Sequence, residues 1–127
     1  MNAQAPTAGL GVFALSIDCT DPASLAEFWG NVLDRPVSPG PTPENVVVEA
    51  TDPAKGPLLF FSKVPEPKAA KNRLHLDLLT ENYDAEHGRL TALGAKPLNE
   101  IAFPGAKWTT FADPEGNEFD LLTMQAK

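Results

Sequence analysis

The sequence predicts a single α+β domain in which one order of elements, a strand, a helix and about three strands, occurs twice. Short segments of alternating apolar and polar residues indicate strands with one buried face. Two segments with apolar residues at helical spacing each follow such a strand, roughly 60 residues apart. The length of 127 residues is enough for one ordinary core and too short for two independent ones.

The first unit begins with a strand and the clearest helix of the sequence. Residues 11–19 (GVFALSIDC) alternate, which predicts a strand with one face in the core. The core face holds Phe13, Leu15 and Ile17, and the opposite face holds Ala14, Ser16 and Asp18. Asp21 and Pro22 are typical of a helix cap and a first helical position. The apolar stripe of this helix is Leu25, Phe28, Trp29, Val32 and Leu33.

The segments after this helix alternate between turns and short apolar runs. The proline-rich residues 35–44 predict a turn or irregular loop. Residues 45–50 and 57–64 predict a hairpin or two neighbouring strands. Residues 65–72 (PEPKAAKN) form a polar connector to the second unit.

The second unit repeats the order of the first. Residues 73–80 (RLHLDLLT) predict a strand, with Leu74, Leu76 and Leu78 toward the core and His75, Asp77 and Leu79 on the other face. Asn82 is the predicted cap of a second helix, and Gly94 is its predicted end. The stripe of that helix is Tyr83, His87, Leu90 and Leu93. Aligning Ala14 with His75 also aligns Asp21 with Asn82.

Three further strands are predicted toward the end of the chain. They cover residues 96–103, 107–112 and 117–123. Residues 113–117 (DPEGN) predict a tight turn between the last two, with proline at the second position and glycine supplying a positive φ.

Composition and charge exclude several classes of function. The net charge of -7, without a cluster of lysine and arginine, argues against a nucleic-acid partner. No apolar run approaches the length of a membrane span, and residues 1–9 predict a flexible tail rather than a signal peptide. One cysteine, Cys19, cannot form an internal disulfide. We therefore expect a cytoplasmic protein without a membrane partner.

Three strings, IDCTDPASLAEFW, PEPKAAKNRLHLDL and ADPEGNEFDLL, resemble the glyoxalase-like branch of the vicinal oxygen chelate superfamily. That superfamily also includes the bleomycin-resistance proteins and the extradiol dioxygenases. The resemblance covers residues 10–123 and implies two βαβββ modules whose sheets curl around a shared cavity. We expect one domain over residues 10–127, with modules at about 10–64 and 72–124.

The resemblance also bears on a metal site. Metal-binding members carry one ligand on the first strand and one on the last strand of each module, for zinc, nickel, manganese or iron. The second module matches with His75 and with Asp120, a carboxylate where the family usually has glutamate. The first module offers Ala14, and then Ser62 or a neighbour in LLFFSK, without a histidine or carboxylate. The resemblance thus implies an incomplete metal site and no certain cofactor.

Each polar candidate in the second unit has a functional and a purely structural interpretation. His75 is either a general base or metal ligand, or a half-exposed histidine bonded to Asp77 or the backbone. Asp77 either orients His75 or binds a ligand directly, and could help to complete the metal site, or it is a solvated aspartate. Asp120 at a ligand position and Glu118 at the cavity rim are also what any solvated strand face shows. We expect His87, on an apolar stripe, to pack against the sheet.

The remaining candidates concern the ligand. Ser16 and Asp18 share the non-core face of the first strand with Ala14, whose small side chain leaves room for a ligand, and Asp18 is a further possible metal ligand. Trp108, opposite in phase to Phe111, either stacks on a ligand or packs in the structure. Cys19 has no basic neighbour to lower its pKa, so a nucleophilic role is not expected.

Three functional interpretations stay open from the sequence. The first is a protein that binds a small molecule without a metal, like the drug-sequestering members, supported by Phe60, Phe61, Phe103 and Trp108. The second is a lyase, isomerase or dioxygenase in which His75 is the base or a metal ligand and Asp77 or Asp120 orients it. The third is an interaction module with a vestigial cavity. We also expect a homodimer, which would cover the sheet edges.

Overall fold

In the computed structural model, which describes residues 9–124, the chain forms two modules with the same order of elements. The first module consists of β1 (Ala14–Cys19), α1 (Pro22–Leu33), β2 (Val37–Pro39), β3 (Asn45–Val48) and β4 (Leu58–Lys63). The second consists of β5 (Asp77–Leu79), α2 (Tyr83–Leu93), β6 (Lys96–Phe103), β7 (Ala106–Ala112) and β8 (Glu118–Met124). The predicted α+β fold with two βαβββ modules is confirmed. The predicted tail lies, apart from Gly9, outside the described residues.

Each module builds one four-stranded mixed sheet with the same topology. The strand orders are β1-β4-β3-β2 and β5-β8-β7-β6. In both sheets the first strand of the module runs parallel to the last one, so that Ala14 pairs with Leu58 and Asp77 pairs with Asp120. The first and last strands of each module are therefore neighbours, which brings their outward side chains together.

Both helices follow the predicted pattern, with one difference at a cap. The Asp21 carboxylate accepts a hydrogen bond from the Ser24 amide at 3.2 Å, and Pro22 opens α1. Gly94, with φ of +111°, ends α2, and this left-handed conformation favours glycine. Asn82 occupies the cap position of α2, but its side chain makes no capping hydrogen bond. The predicted cap position of Asn82 is therefore confirmed, without a hydrogen bond from its side chain.

The two modules are joined through α1. The indole of Trp29 is buried, its ring centroid is 4.8 Å from that of Phe119, and its Nε1 donates to Asp113 Oδ2 at 3.0 Å. Arg89 of α2 donates to the carbonyl oxygens of Asn31 and Val32 at 2.9 and 2.8 Å. The guanidinium thus satisfies carbonyls at the end of α1 that have no partner within the helix.

Two strands are shorter than the sequence predicts. Phe13 and Leu74 were expected in the core, but they are 79% and 82% exposed. β1 begins at Ala14 because its partner β4 begins at Leu58. β5 begins at Asp77, and β8 has no strand residues before Glu118, so residues 73–74 have no partner strand. The prediction that the strand covers residues 73–80 is therefore wrong at its start.

The proline-rich segment 35–44 contains a strand that the sequence does not predict. β2 pairs with β3 at the free edge of the first sheet, and Pro39 ends it. Proline is tolerated at an edge because it lacks only a donor that no further strand needs. In the part of the chain that the structure describes, no helix is long and apolar enough to cross a membrane.

Candidate functional site

A cavity of about 450 Å³ lies where the two modules meet. The first module contributes residues 15–18 of β1 and the indole of Trp29. The connector and the start of the second module contribute residues between 68 and 76, and the β7–β8 turn closes the site with Asn117. The apolar part of the wall consists of Leu15, Ile17, Trp29, Ala70, Leu74, Leu76 and Phe119. This mixture of apolar surface and a few polar groups is typical of a small-molecule site.

His75, Asp77 and Asp120 form a cluster at the edge of this cavity. His75 Nδ1 is 2.9 Å from Asp77 Oδ1 and 4.0 Å from Asp120 Oδ2. Thr110 Oγ1 donates to Asp120 Oδ1 at 2.6 Å, which holds that carboxylate in place. The cluster forms because Asp77 and Asp120 are direct neighbours in the sheet and His75 points to the same face, two residues earlier.

The hydrogen bond to Asp77 fixes the role of each nitrogen in the His75 ring. An ionised carboxylate only accepts hydrogen bonds, so Nδ1 must donate and a neutral ring carries its lone pair on Nε2. The His75 side chain is 48% exposed and lines the cavity. A neutral His75 therefore presents a proton acceptor to a molecule that binds there.

The structure divides the predicted site residues into two groups. Those that line the cavity are Ser16, Asp18, His75 and Glu118. Asp77 and Asp120 do not line it but contact or approach His75. Trp108 does not line it either; it lies on the face of the second sheet opposite α2, with its ring centroid 5.5 Å from that of Phe103.

The aromatic residues expected around the ligand lie elsewhere. Phe61 is fully buried in the core beneath α1, because the even and odd residues of β4 point to opposite faces. Phe60 and Phe103 are also absent from the cavity wall. The aromatic part of the site comes instead from Trp29 and Phe119, whose rings pack against each other.

The first module has no counterpart of the polar cluster. With Ala14 aligned to His75, Ser16 corresponds to Asp77, and the residue paired with Ser16 is Phe60. Phe60, a neighbour of Ser62 in the predicted run LLFFSK, thus occupies the position of Asp120. Ser62 Oγ instead accepts a hydrogen bond from the Asn45 side chain at 3.0 Å. The three matched positions hold no histidine or carboxylate.

The residues present fit a divalent cation held by three side chains of one module. One ligand atom each from His75, Asp77 and Asp120 lies within 4.8 Å of the other two. One imidazole nitrogen and two carboxylates are suitable ligands for zinc, manganese or iron, and they leave coordination positions open. The four-ligand arrangement of the metal-binding members is not reproduced at the matched positions.

Glu118 connects the cavity wall with the segment between the modules. Its carboxylate is bonded to Lys71 Nζ, and its backbone carbonyl accepts a hydrogen bond from Asn72 Nδ2 at 2.9 Å. The Lys71 hydrogen bond holds the pKa of the Glu118 carboxyl below its usual range, and the charge of the ammonium adds to this. Glu118 is therefore an anchor for residues 68–76, in addition to its predicted place at the rim.

Lys68, Asn72 and Arg73 are wall residues that sequence reasoning missed. They lie in the segment that was interpreted only as a polar connector and in the first residue after it. The available signal was three basic side chains within six residues, KAAKNR, which end two positions before His75 in a chain with a net charge of -7. Asp113 was also missed as a binding partner of Trp29.

His87 and Cys19, for which no chemical role is expected, lie in surroundings that fit a structural role. The ring of His87 lies 5.0 Å from that of Phe111 and 6.1 Å from that of Tyr83, so it packs between helix and sheet as predicted. Burial, together with the nearby carboxylates Glu115 and Asp18, raises the pKa of Cys19 to about 11. A thiol with this pKa is protonated at neutral pH and is a poor nucleophile.

Comparison with known proteins identifies the family. Residues 14–122 match the family model of the glyoxalase-like domain. None of the curated protein sequences compared with the chain is similar to it.

Solved structures show the same fold at low sequence identity. A glyoxalase/bleomycin resistance protein/dioxygenase from Nocardioides is 16% identical with a TM-score of 0.72, over 98% of this chain and 87% of that chain. A mutant of the fosfomycin resistance protein FosX from Listeria monocytogenes, complexed with Mn(II) and 1S,2S-dihydroxypropylphosphonic acid, is 16% identical with a TM-score of 0.71, over 87% of each chain. The oxidase ChaP-H2 is 19% identical with a TM-score of 0.69, over 91% of this chain and 94% of that chain. The chain thus belongs to the glyoxalase-like domain family of the vicinal oxygen chelate superfamily.

Proposed function

We propose that this protein binds a small organic molecule in the cavity between its two modules, without the four-ligand metal site of its metal-binding relatives. The observation that carries the proposal is the cavity itself, about 450 Å³ in volume and bounded by both modules. That volume is within the range of small-molecule sites. Sequestration of an antibiotic-like compound is the form of this function that we favour.

The first module supports binding rather than chelation. Ala14 and Phe60, at the positions matched to His75 and Asp120, offer no ligand atom. At the matched positions only the second module has a histidine and carboxylates, and the cavity wall combines apolar side chains with polar ones such as Asp18 and His75. A molecule with an apolar body and one polar end would match this combination.

The direct test introduces a large side chain into the cavity at an exposed residue of the connector. Ala70 lines the cavity, whereas the adjacent Ala69 does not, and both residues are exposed. We expect Ala70→Trp to weaken binding of the neutral fluorescent probe N-phenyl-1-naphthylamine more than tenfold, because the indole would occupy the probe's space. Ala69→Trp should change the affinity less than twofold.

The result that contradicts the proposal is equally specific. If the probe binds the unchanged protein and the Ala70→Trp variant with the same affinity, the cavity is not its site. The interpretation as an interaction module with a vestigial cavity would then gain support. Equal melting temperatures of the two tryptophan variants would exclude unfolding as the cause of any difference.

A second candidate function is an enzyme of the lyase, isomerase or dioxygenase type, favoured by the cluster of His75, Asp77 and Asp120. His75 Nε2 would accept a proton from a bound substrate, and the Asp77 carboxylate would stabilise the imidazolium that forms. Alternatively, the same three residues would hold a divalent metal, which would supply Lewis-acid polarisation of a substrate oxygen, and His75 would then be a ligand instead of the base. The Listeria FosX complex with Mn(II) and a phosphonic acid supports this candidate at the level of family.

Metal content separates the two candidates. Elemental mass spectrometry of protein purified without a chelator, beside His75→Ala, measures the stoichiometry of zinc, nickel, manganese and iron. The enzyme candidate predicts a near-stoichiometric metal that is lost from the variant. The binding candidate predicts substoichiometric metal in both proteins. Ser16→Ala, which changes the position matched to Asp77, is the control and should leave the content unchanged.

We further propose that two copies of the chain associate, and that the protein acts in the cytoplasm. Several large apolar side chains are exposed in the single chain, among them Leu79, Phe103 and Met124 of the second sheet. Exposed apolar area of this kind marks an interaction surface. Light scattering should give twice the 13.6 kDa monomer mass, and Phe103→Lys should shift the protein toward the monomer, whereas Ala92→Lys on the exposed side of α2 should not.

A further inference from the structure

The charged groups of the cavity wall differ in whether they already have a partner. Three carboxylates line the cavity: Asp18, Asp113 and Glu118. Asp113 accepts hydrogen bonds from Trp29 Nε1, from the Asn117 side chain, and from the backbone amides of Glu115 and Asn117. Glu118 is paired with Lys71. Asp18 alone has no hydrogen-bond or ion-pair partner among residues 9–124.

The two full cations of the wall have no such partner. Lys68 and Arg73 line the cavity, and neither forms an ion pair within the part of the chain that the structure describes. The stem of Lys68 lies along the β7–β8 turn, with its Cδ 3.9 Å from the point where a Cβ on Gly116 would be. Packing of this stem holds Lys68 beside the cavity wall, although the residue is exposed.

The unpaired cations of the wall are hydrogen-bond donors, so they favour a ligand that carries acceptors. The unpaired cations outnumber the unpaired carboxylate by two to one. A lysine ammonium and an arginine guanidinium carry only donors, and their strongest partners are carboxylate, sulfonate, phosphonate and phosphate oxygens. A cationic ligand would meet two unpaired like charges and could not displace the four donors that already surround Asp113.

We propose that the cavity is selective for a small molecule with an apolar body and one oxyanion group, which pairs with Lys68 and Arg73. The inference rests on the proposed binding function and specifies its ligand class. The apolar body would contact Trp29 and Phe119, and the oxyanion would lie toward the connector. Selectivity would come from the connector between the modules, outside the polar cluster of β5 and β8.

Two fluorescent probes with the same ring system test the proposal. They are 8-anilino-1-naphthalenesulfonate and N-phenyl-1-naphthylamine, which differ by one sulfonate. In each case the cavity-bound part of the signal is the part that Ala70→Trp abolishes. We expect the sulfonate probe to bind this site about tenfold more tightly than the neutral probe, and the advantage to shrink as salt is raised.

The matched variants change charge with little change of apolar volume. Lys68→Met combined with Arg73→Met should weaken sulfonate binding about tenfold and leave the neutral probe within twofold. Lys63→Met combined with Lys96→Met removes the same charge from exposed positions outside the cavity wall, and should leave both affinities within twofold.

The outcomes separate the ligand class from the binding function. If Ala70→Trp weakens binding of neither probe, cavity binding itself fails. If both probes bind the cavity with equal affinity and the Lys68/Arg73 variant changes neither, the cavity binds small molecules but the oxyanion proposal is overturned. It is also overturned if both double variants weaken sulfonate binding equally, because the effect then reflects only net charge.

Discussion

The two modules have the same strand order, the same parallel pairing of first and last strands, and different chemistry at matched positions. Ala14, Ser16 and Phe60 in the first module correspond to His75, Asp77 and Asp120 in the second. The fold tolerates this difference because only one face of each strand packs against a helix. The side chains on the other face do not pack in the core, so the second module can hold a polar cluster there while the first module holds none.

The modules also differ in how deeply their helices are buried. Seven residues of α1 are buried, but only Tyr83 and Leu90 of α2 are. α1 contacts its own sheet and also reaches the second module through Trp29, whereas α2 supplies Arg89 to the end of α1. The first module thus provides the packing centre, and the second provides the cluster of titratable groups.

The largest expected effect is on the junction of the modules. Trp29→Ala should lower the free energy of unfolding by about 3–5 kcal/mol, the usual cost of deleting a buried aromatic side chain. It removes the ring packed on Phe119 and one of the four donors to Asp113. Urea denaturation followed by circular dichroism measures this change.

A conservative variant separates ring packing from the hydrogen bond. Trp29→Phe keeps an aromatic ring but removes the N–H, and Asp113 retains its three other donors. The loss should therefore be smaller than for Trp29→Ala. A Trp29→Ala loss below about 1 kcal/mol would contradict the view that this side chain unites the modules.

The second prediction concerns the single thiol, which lies in the first module where the matched residue of the second is Thr80. Burial raises the pKa of Cys19 to about 11, compared with about 8.5 for a free cysteine. The thiolate fraction at pH 8 is then lower by a factor of about 100 or more. Native protein should react with Ellman's reagent at least about 100-fold more slowly than urea-unfolded protein. Equal rates would mean that Cys19 is accessible and ionised in the fold.

Most of the fold could be predicted because periodicity and cap residues mark each element locally. The apolar stripe from Leu25 to Val32 predicts α1, and Gly94 predicts the end of α2. The errors arose where the extent of a strand depends on the strand with which it pairs. Phe13 and Leu74 continue an alternating pattern, but the partner strands do not extend far enough to pair with them. The periodicity of one segment gives no information about the length of the strand with which that segment pairs.

The candidate site was only partly predictable for the same reason. His75 and Asp77 share a strand face by spacing alone, and Asp120 was located through the family resemblance. The place of Phe60 beside Ser16 depends on the register between β1 and β4, which the sequence does not specify. Lys68 and Arg73 were overlooked because a connector without periodicity gives no indication of what it covers.

The smallest expected effect tests whether the connector is held to the second module by an ion pair. Lys71 holds the pKa of Glu118 below its usual range, so the pair stabilises the fold above the unfolded pKa of about 4.3 and this contribution is lost as pH falls through the lower folded value. Lys71→Met should therefore lower the urea midpoint slightly at pH 7, and this difference should shrink as the pH falls below about 4.3 and through the lower folded pKa of Glu118. Lys63→Met, at an exposed lysine of β4, is the control and should lack this dependence on pH. A Lys71→Met difference that stays unchanged across the acid range in which the protein remains folded would assign the stabilisation to packing of the lysine stem rather than to the charge of Glu118.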